Sequence, residues 1–181
     1  MVYLTIIIYL FLVCGIFFYA KKRPAYSHLK HTISELGEAG STCEKSVGFR
    51  VFMPVGLGCF LLAGFTYQDN WPASVLLGAM GFGYFFSAFF PCDPGTPMSG
   101  TWKNSIHNLV GGMAYVTMGY HLKALIDQQL GLFPEVAFIA LAMFLFNFII
   151  GWPKQLVGLT QRLAETAVFL CVFMLLLEPP F

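Results

Sequence analysis

The side chains of this chain that could do chemistry are few and fall in three polar stretches between long apolar runs. The first stretch, Lys21 to Phe49, contains His31-Thr32-Ile33-Ser34-Glu35-Leu36-Gly37. The second, Pro91 to Asn108, contains Asp93, Lys103, His107 and Asn108, and the third, Pro153 to Glu165, contains Arg162 and Glu165. Ser34, His107 and Asp93 are the residue types of a hydrolase triad, but no nucleophile elbow surrounds the serine. His28, His31 and Glu35 are spaced three and then four apart, as on one helical face, and with His107 and Asp93 they are zinc-ligand types. No HExxH or comparable signature supports a metal, so neither a metal nor another cofactor is expected. A third chemistry is recognition: Arg162, Lys103 and His107 suit an anionic head group, with Ser34, Glu35 and Asp93 positioning it. Asn108 and Glu165 complete this candidate ligand-binding set.

Each of these readings has a plainer counterpart. Thr32 and Glu35, three apart, match a capping box that would order the loop. Arg162 and Glu165, also three apart, could pair on one helix. A lone histidine at a helix start is more often hydrogen-bonded than ligating. Asp93 stands at the end of an apolar run, where an unpaired carboxylate is costly, so it should find a partner. Arg162 is the preferred one, and the expectation is that Glu35, Asp93, His107 and Arg162 converge in one pocket.

The elements that must position these groups are membrane helices. The 181-residue chain is 57% hydrophobic and 10% charged, against roughly 25% charged in an ordinary soluble domain. Its mean hydropathy is +0.72, and lipid is the solvent that accommodates so much apolar surface. Six apolar segments predict a single all-α transmembrane domain over 1–181, with helices at about 2–20, 51–67, 73–90, 106–126, 136–152 and 163–177. Loops 21–50, 91–105 and 153–162 then share one face. Lys21-Lys22-Arg23 follow the first apolar run instead of preceding it, the pattern of an anchor and not of a signal peptide. Pro54 should kink the second helix. Ala79, Gly83 and Ser87 at four-residue spacing, and Gly111 with Gly112, predict close helix packing. Tyr67, Trp71 and Trp152 sit where interface anchors belong. His121 is expected at the outer interface, and Asn147 in an interhelical hydrogen bond.

The net charge of +1 and the scattered basic residues exclude a nucleic-acid partner. No cysteine pair has CxxC spacing, and Cys43 and Cys92 alone fall in polar loops. Of the ten basic residues, Lys21, Lys22, Arg23, Lys30, Lys45, Arg50, Lys103, Lys154 and Arg162 lie on the polar-loop side and Lys123 on the other. That bias predicts cytoplasmic polar loops.

Four motifs in order carry a family resemblance: Ile33-Ser34-Glu35-Leu36-Gly37, Phe90-Pro91-Cys92-Asp93-Pro94-Gly95, His107-Asn108, and Gly158-Leu159-Thr160-Gln161-Arg162-Leu163-Ala164-Glu165. Over nearly its whole length the chain resembles the uncharacterised prokaryotic six-helix membrane family called domain of unknown function 998. The resemblance implies a fold and a bacterial inner-membrane location, and no established activity. The first motif is also similar to the Ile-Ser-Asp-x-Gly loop of eukaryotic membrane proteins linked to lipid-anchor remodelling, with Glu35 in place of the aspartate; that loop is thought to face away from the cytosol. The expected function is a loop-built polar pocket binding a membrane lipid or small amphiphile. Two alternatives stay open: a lipid hydrolase or transferase using Asp93, His107 and Glu35, and a non-catalytic subunit of a membrane complex packing through the third helix. A homo-oligomer or a larger membrane assembly is compatible with each.

Overall fold

The computed structural model describes residues 1–151 and 153–177. Among them the chain is all-helical, and six helices form one bundle. Helix α1 is Val2–Ala20, α2 is Glu44–Thr66, α3 is Trp71–Ser87, α4 is Trp102–Asp127, α5 is Leu132–Ile150 and α6 is Val157–Leu177. Helices α1, α2, α5 and α6 are long and apolar enough to cross a membrane, so the protein is a multi-pass membrane protein. Helix α3 has 17 residues, and the 26-residue α4 carries more polar side chains than any other helix of the bundle.

Helix ends follow local chemistry. The Asn70 side chain accepts from the Ala73 amide and caps α3, and its amide group donates to the Leu175 carbonyl near the end of α6 (2.6 Å). Thr101 caps α4 through the Asn104 amide. Gly151, at φ +71°, closes α5 in the left-handed conformation that glycine adopts without a Cβ penalty. Helix α2 begins at Glu44, seven residues before the expected Val51. A wide turn at Gly48–Phe52 precedes Pro54 and lets the helix run on where the proline supplies no amide hydrogen. Helix α6 likewise begins at Val157, so Arg162 and Glu165 lie inside it and not in a loop.

Helices α2 and α3 form one hairpin and α5 and α6 another; α4 joins α3 to α5, while α1 packs on α2 and α6. Helix α3 also packs on α6 and is largely buried. The tightest seam is one the spacing argument passed over. A Cβ on Gly56 would lie 2.5 Å from the Phe85 backbone nitrogen, and one on Gly48 would lie 2.9 Å from the Ala88 carbonyl oxygen. Gly83 does lie close to Ala114, its Cβ position 3.2 Å away. Gly111 and Gly112 do not serve packing at all, because nothing stands within 4 Å of a Cβ at either.

Tyr67 and Trp71 are exposed at the α2–α3 turn, as interface anchors are; Trp152 lies outside the described residues. Among the described residues Asn147 makes no interhelical hydrogen bond and instead donates to the Pro153 carbonyl, stitching the end of α5 to the next turn (3.0 Å). His121 is buried against the start of α3, with Nε2 beside the Pro72 carbonyl and its ring edge-on to Trp71.

Candidate functional site

The first loop folds back over the bundle, and two residues of α6 hold it there. The Arg162 guanidinium donates to the carbonyls of His28 (2.9 Å), His31 (3.0 Å) and Gly158 (2.7 Å) and to the Tyr26 hydroxyl. Tyr26 in turn donates to the Thr32 carbonyl. Burial, opposed by the Arg162 charge, pushes the Tyr26 phenol up to about 12, so it acts as a neutral donor. Gln161 accepts from the Ile33 amide at 2.7 Å. Gly158 is required beneath this clamp, because a Cβ there would run into the backbone carbonyls of His28 and His31.

Within the loop, the Thr32 amide donates to the Glu35 carboxylate and the Glu35 amide to the Thr32 hydroxyl, the reciprocal pattern of a capping box. The box orders the short 3-10 turn Ser34–Gly37 and buries Glu35 and Leu36. Arg23 pairs with Glu38 (2.6 Å) and also donates to the Glu35 carbonyl. The loop reaches the α3–α4 connection where the Ala39 amide meets the Cys92 carbonyl (2.8 Å) and the Gly95 amide meets Glu38 (3.2 Å). The three polar stretches therefore assemble on one side of the bundle.

Beneath this cover lies a cavity of about 300 Å³ bounded by α3, α4, α5 and α6. Gly83, Gly111 and Gly112 line it, and the missing side chains of Gly111 and Gly112 leave its space open. Its polar wall includes Ser34, His107, Asn108 and Glu165; most of the remainder is aliphatic and aromatic. His107 Nδ1 lies 2.8 Å from the Phe90 carbonyl, which only accepts, so the proton sits on Nδ1 and Nε2 is left as an acceptor. Asn108 donates to the Pro97 carbonyl at 2.9 Å. Among the described residues the Ser34 side chain has no hydrogen-bond partner of its own. Met98, Val116 and Ile149 line the same space yet are 69%, 66% and 63% exposed, so the cavity opens sideways between α4 and α5.

Glu165 is the most buried carboxyl of the bundle, 7% exposed. Tyr84 donates to its Oε2, while Tyr115 (2.9 Å) and Gln161 (3.2 Å) donate to its Oε1. Gln161 thus links the first-loop motif to Glu165 through one side chain. Tyr84, Tyr115, Gln161 and Arg23 were absent from the sequence-based set. The available signal was the four-residue step from Gln161 to Glu165, which puts both on one face of α6.

The eight sequence candidates divide. Ser34, His107, Asn108 and Glu165 line the cavity. Glu35, Asp93, Lys103 and Arg162 do not, so the expected convergence of Glu35, Asp93, His107 and Arg162 fails. Asp93 and Arg162 are not a pair: Asp93 accepts from the Thr101 amide (2.7 Å) and hydroxyl (2.8 Å), which turns the loop into α4. Arg162 does not pair with Glu165 either; it satisfies backbone carbonyls. Lys103 lies over the Trp102 ring and borders a separate, smaller cavity of about 210 Å³ with Glu44 and Lys45. Asp93, His107 and Glu35 each have a different partner, so their hydrogen bonds bring no two of them together. His28, His31 and Glu35 share no helical face, since the helix predicted by their spacing is a turn followed by the 3-10 segment. Among the described residues no three His, Cys, Asp or Glu side chains group as a metal site. Among the described residues no disulfide forms, and Cys43 and Cys92 are buried.

The chain belongs to the family of proteins of unknown function DUF998, whose family model matches residues 5–178. No curated protein and no solved structure matches it.

Proposed function

We propose that this member of a membrane family of unknown function binds a lipid or small amphiphile in the cavity beneath its first loop. The observation that carries the proposal is the lateral mouth. Val116 on α4 and Ile149 on the membrane-spanning α5 are exposed, and the space behind them ends on a wall bearing Ser34, His107, Asn108 and Glu165. A ligand with an apolar tail and a polar head matches such a gradient, and concave, largely apolar sites with few polar groups are where small ligands bind. The head would lie under the clamped loop and the tail among Phe144, Leu145 and Phe148. In this reading the covering loops face the cytoplasm across the cell membrane, which the distribution of basic residues supports.

Native mass spectrometry of gently solubilised protein tests the binding. Bound lipid is expected on the wild type. Val116→Trp, which puts a large ring in the mouth without disturbing a buried contact, is expected to remove most of it while leaving the unfolding midpoint unchanged. Unaltered lipid occupancy in that variant overturns the lateral entry and the reading with it.

A further inference from the structure

We infer that the cavity selects an amphiphile with a cationic, ammonium-bearing head, and that Glu165 receives that head. This rests on the amphiphile reading of the cavity and adds the ligand's chemical class. The sequence alone pointed the other way, to an anionic head group held by Arg162 and Lys103. In the structure neither residue lines the cavity, and among the described residues its wall contains no lysine or arginine. Arg162 stands one turn before Glu165 on α6 but is committed to the carbonyls of His28, His31 and Gly158.

The remaining polar lining is hydroxyls, side-chain amides and one imidazole around a single carboxyl group, Glu165. Three donors, the Tyr84 and Tyr115 hydroxyls and the Gln161 amide, converge on the Glu165 carboxyl. Hydrogen bonds of this kind stabilise the ionised carboxyl and offset part of the cost of burying its charge. A carboxylate has about four lone-pair directions, and three are used, leaving one for a ligand. Among the described residues Glu165 forms no salt bridge, the Arg162 charge acting on it only without contact, and a carboxylate so deep in a bundle is stabilised by a partner charge. His107 Nε2 and Ser34 Oγ offer further acceptors on the same wall. An ammonium group has three donors and no acceptor, which suits the Glu165 carboxyl, whereas a phosphate or carboxylate would meet it with no lysine or arginine on the cavity wall between them.

Stearylamine, stearyl alcohol and stearate share one tail and differ only in the head. Their binding to the full chain in nanodiscs, read by native mass spectrometry, tests the inference. Stearylamine is expected to bind at least about tenfold tighter than stearyl alcohol, with stearate weakest. Glu165→Gln is expected to erase the difference between amine and alcohol. If that variant does not fold, the wild-type order of the three heads decides the question, with Val116→Trp as the control for the cavity. Equal binding of all three, lost in Val116→Trp, overturns the head selection and leaves the amphiphile reading standing. Preference for stearate also overturns the selection. Binding of none of the three overturns both.

Discussion

Arg162 shows how a residue's type can be legible while its partners are not. Its place in a polar motif suggested an ion pair with Asp93, yet its guanidinium fork is occupied by three carbonyls and a phenol belonging largely to the first loop. Nothing in the spacing of residues 130 or more apart could show which way that loop folds. Arg162→Ala should destabilise the protein by roughly 2–4 kcal/mol, because several charge-assisted bonds are lost and buried carbonyls are orphaned. Arg162→Lys should recover little, since an ammonium lacks the planar fork. Adding Asp93→Asn should recover nothing. Denaturant unfolding of the three variants in one detergent checks this, and rescue by Asp93→Asn would restore the abandoned pair. His28 belongs to the same clamp. Burial and then the Arg162 charge hold its imidazole below the ordinary value of 6.5. It is therefore neutral in the folded loop at pH 7, and its contribution to stability is present above pH 6.5 and lost as pH falls through the lower folded value. Limited proteolysis should find the first loop increasingly cleavable on acidification, and His28→Gln should flatten that dependence.

At the scale of elements, six apolar segments were readable because lipid forces each to satisfy its own backbone hydrogen bonds. Their polar ends were not. Glu44 to Arg50 reads as loop by composition but is helix, since Val47 and Val51 bury one face of it against the bundle. Glycines carried the least legible information. A glycine that admits a neighbouring backbone and one that opens a cavity look identical in sequence, and Gly56 and Gly112 are such a pair. Gly56→Ala places a methyl group against the Phe85 backbone and should cost about 1–3 kcal/mol. Gly112→Ala meets nothing and should be neutral or stabilising by up to about 1 kcal/mol, from helix propensity alone. Thermal unfolding of both in the same detergent separates the two roles. Equal effects would mean that the α2–α3 seam does not depend on close backbone approach.

Across the whole molecule, the three polar stretches meet on one side, as alternating helices require, and the first loop closes over the bundle instead of extending into water. That closure affects how orientation can be measured. Cys43 and Cys92 sit in the polar stretches but are buried, and Cys14 lies on α1 among lipid-facing residues, so the native thiols are poor reporters for an impermeant reagent. Of the basic residues on this side, Arg23 and Arg162 are consumed inside the cover, while Lys21, Lys22, Lys30, Lys45, Arg50, Lys103 and Lys154 remain exposed. The consumed pair still counts towards topology, because basic residues act on insertion before the loop has folded. Acidic neighbours such as Glu38 and Asp93 subtract little, since the bias depends on lysine and arginine and not on net charge. The opposite side offers Lys123 alone, which pairs with Asp127 one turn later. Lys30→Cys should therefore label only after the membrane is permeabilised, and Lys123→Cys should label in intact cells. Both positions are exposed, so reagent access does not confound the comparison. The reverse pattern would put the covered cavity on the outer side, and a ligand entering between α4 and α5 would then have its head in the outer leaflet.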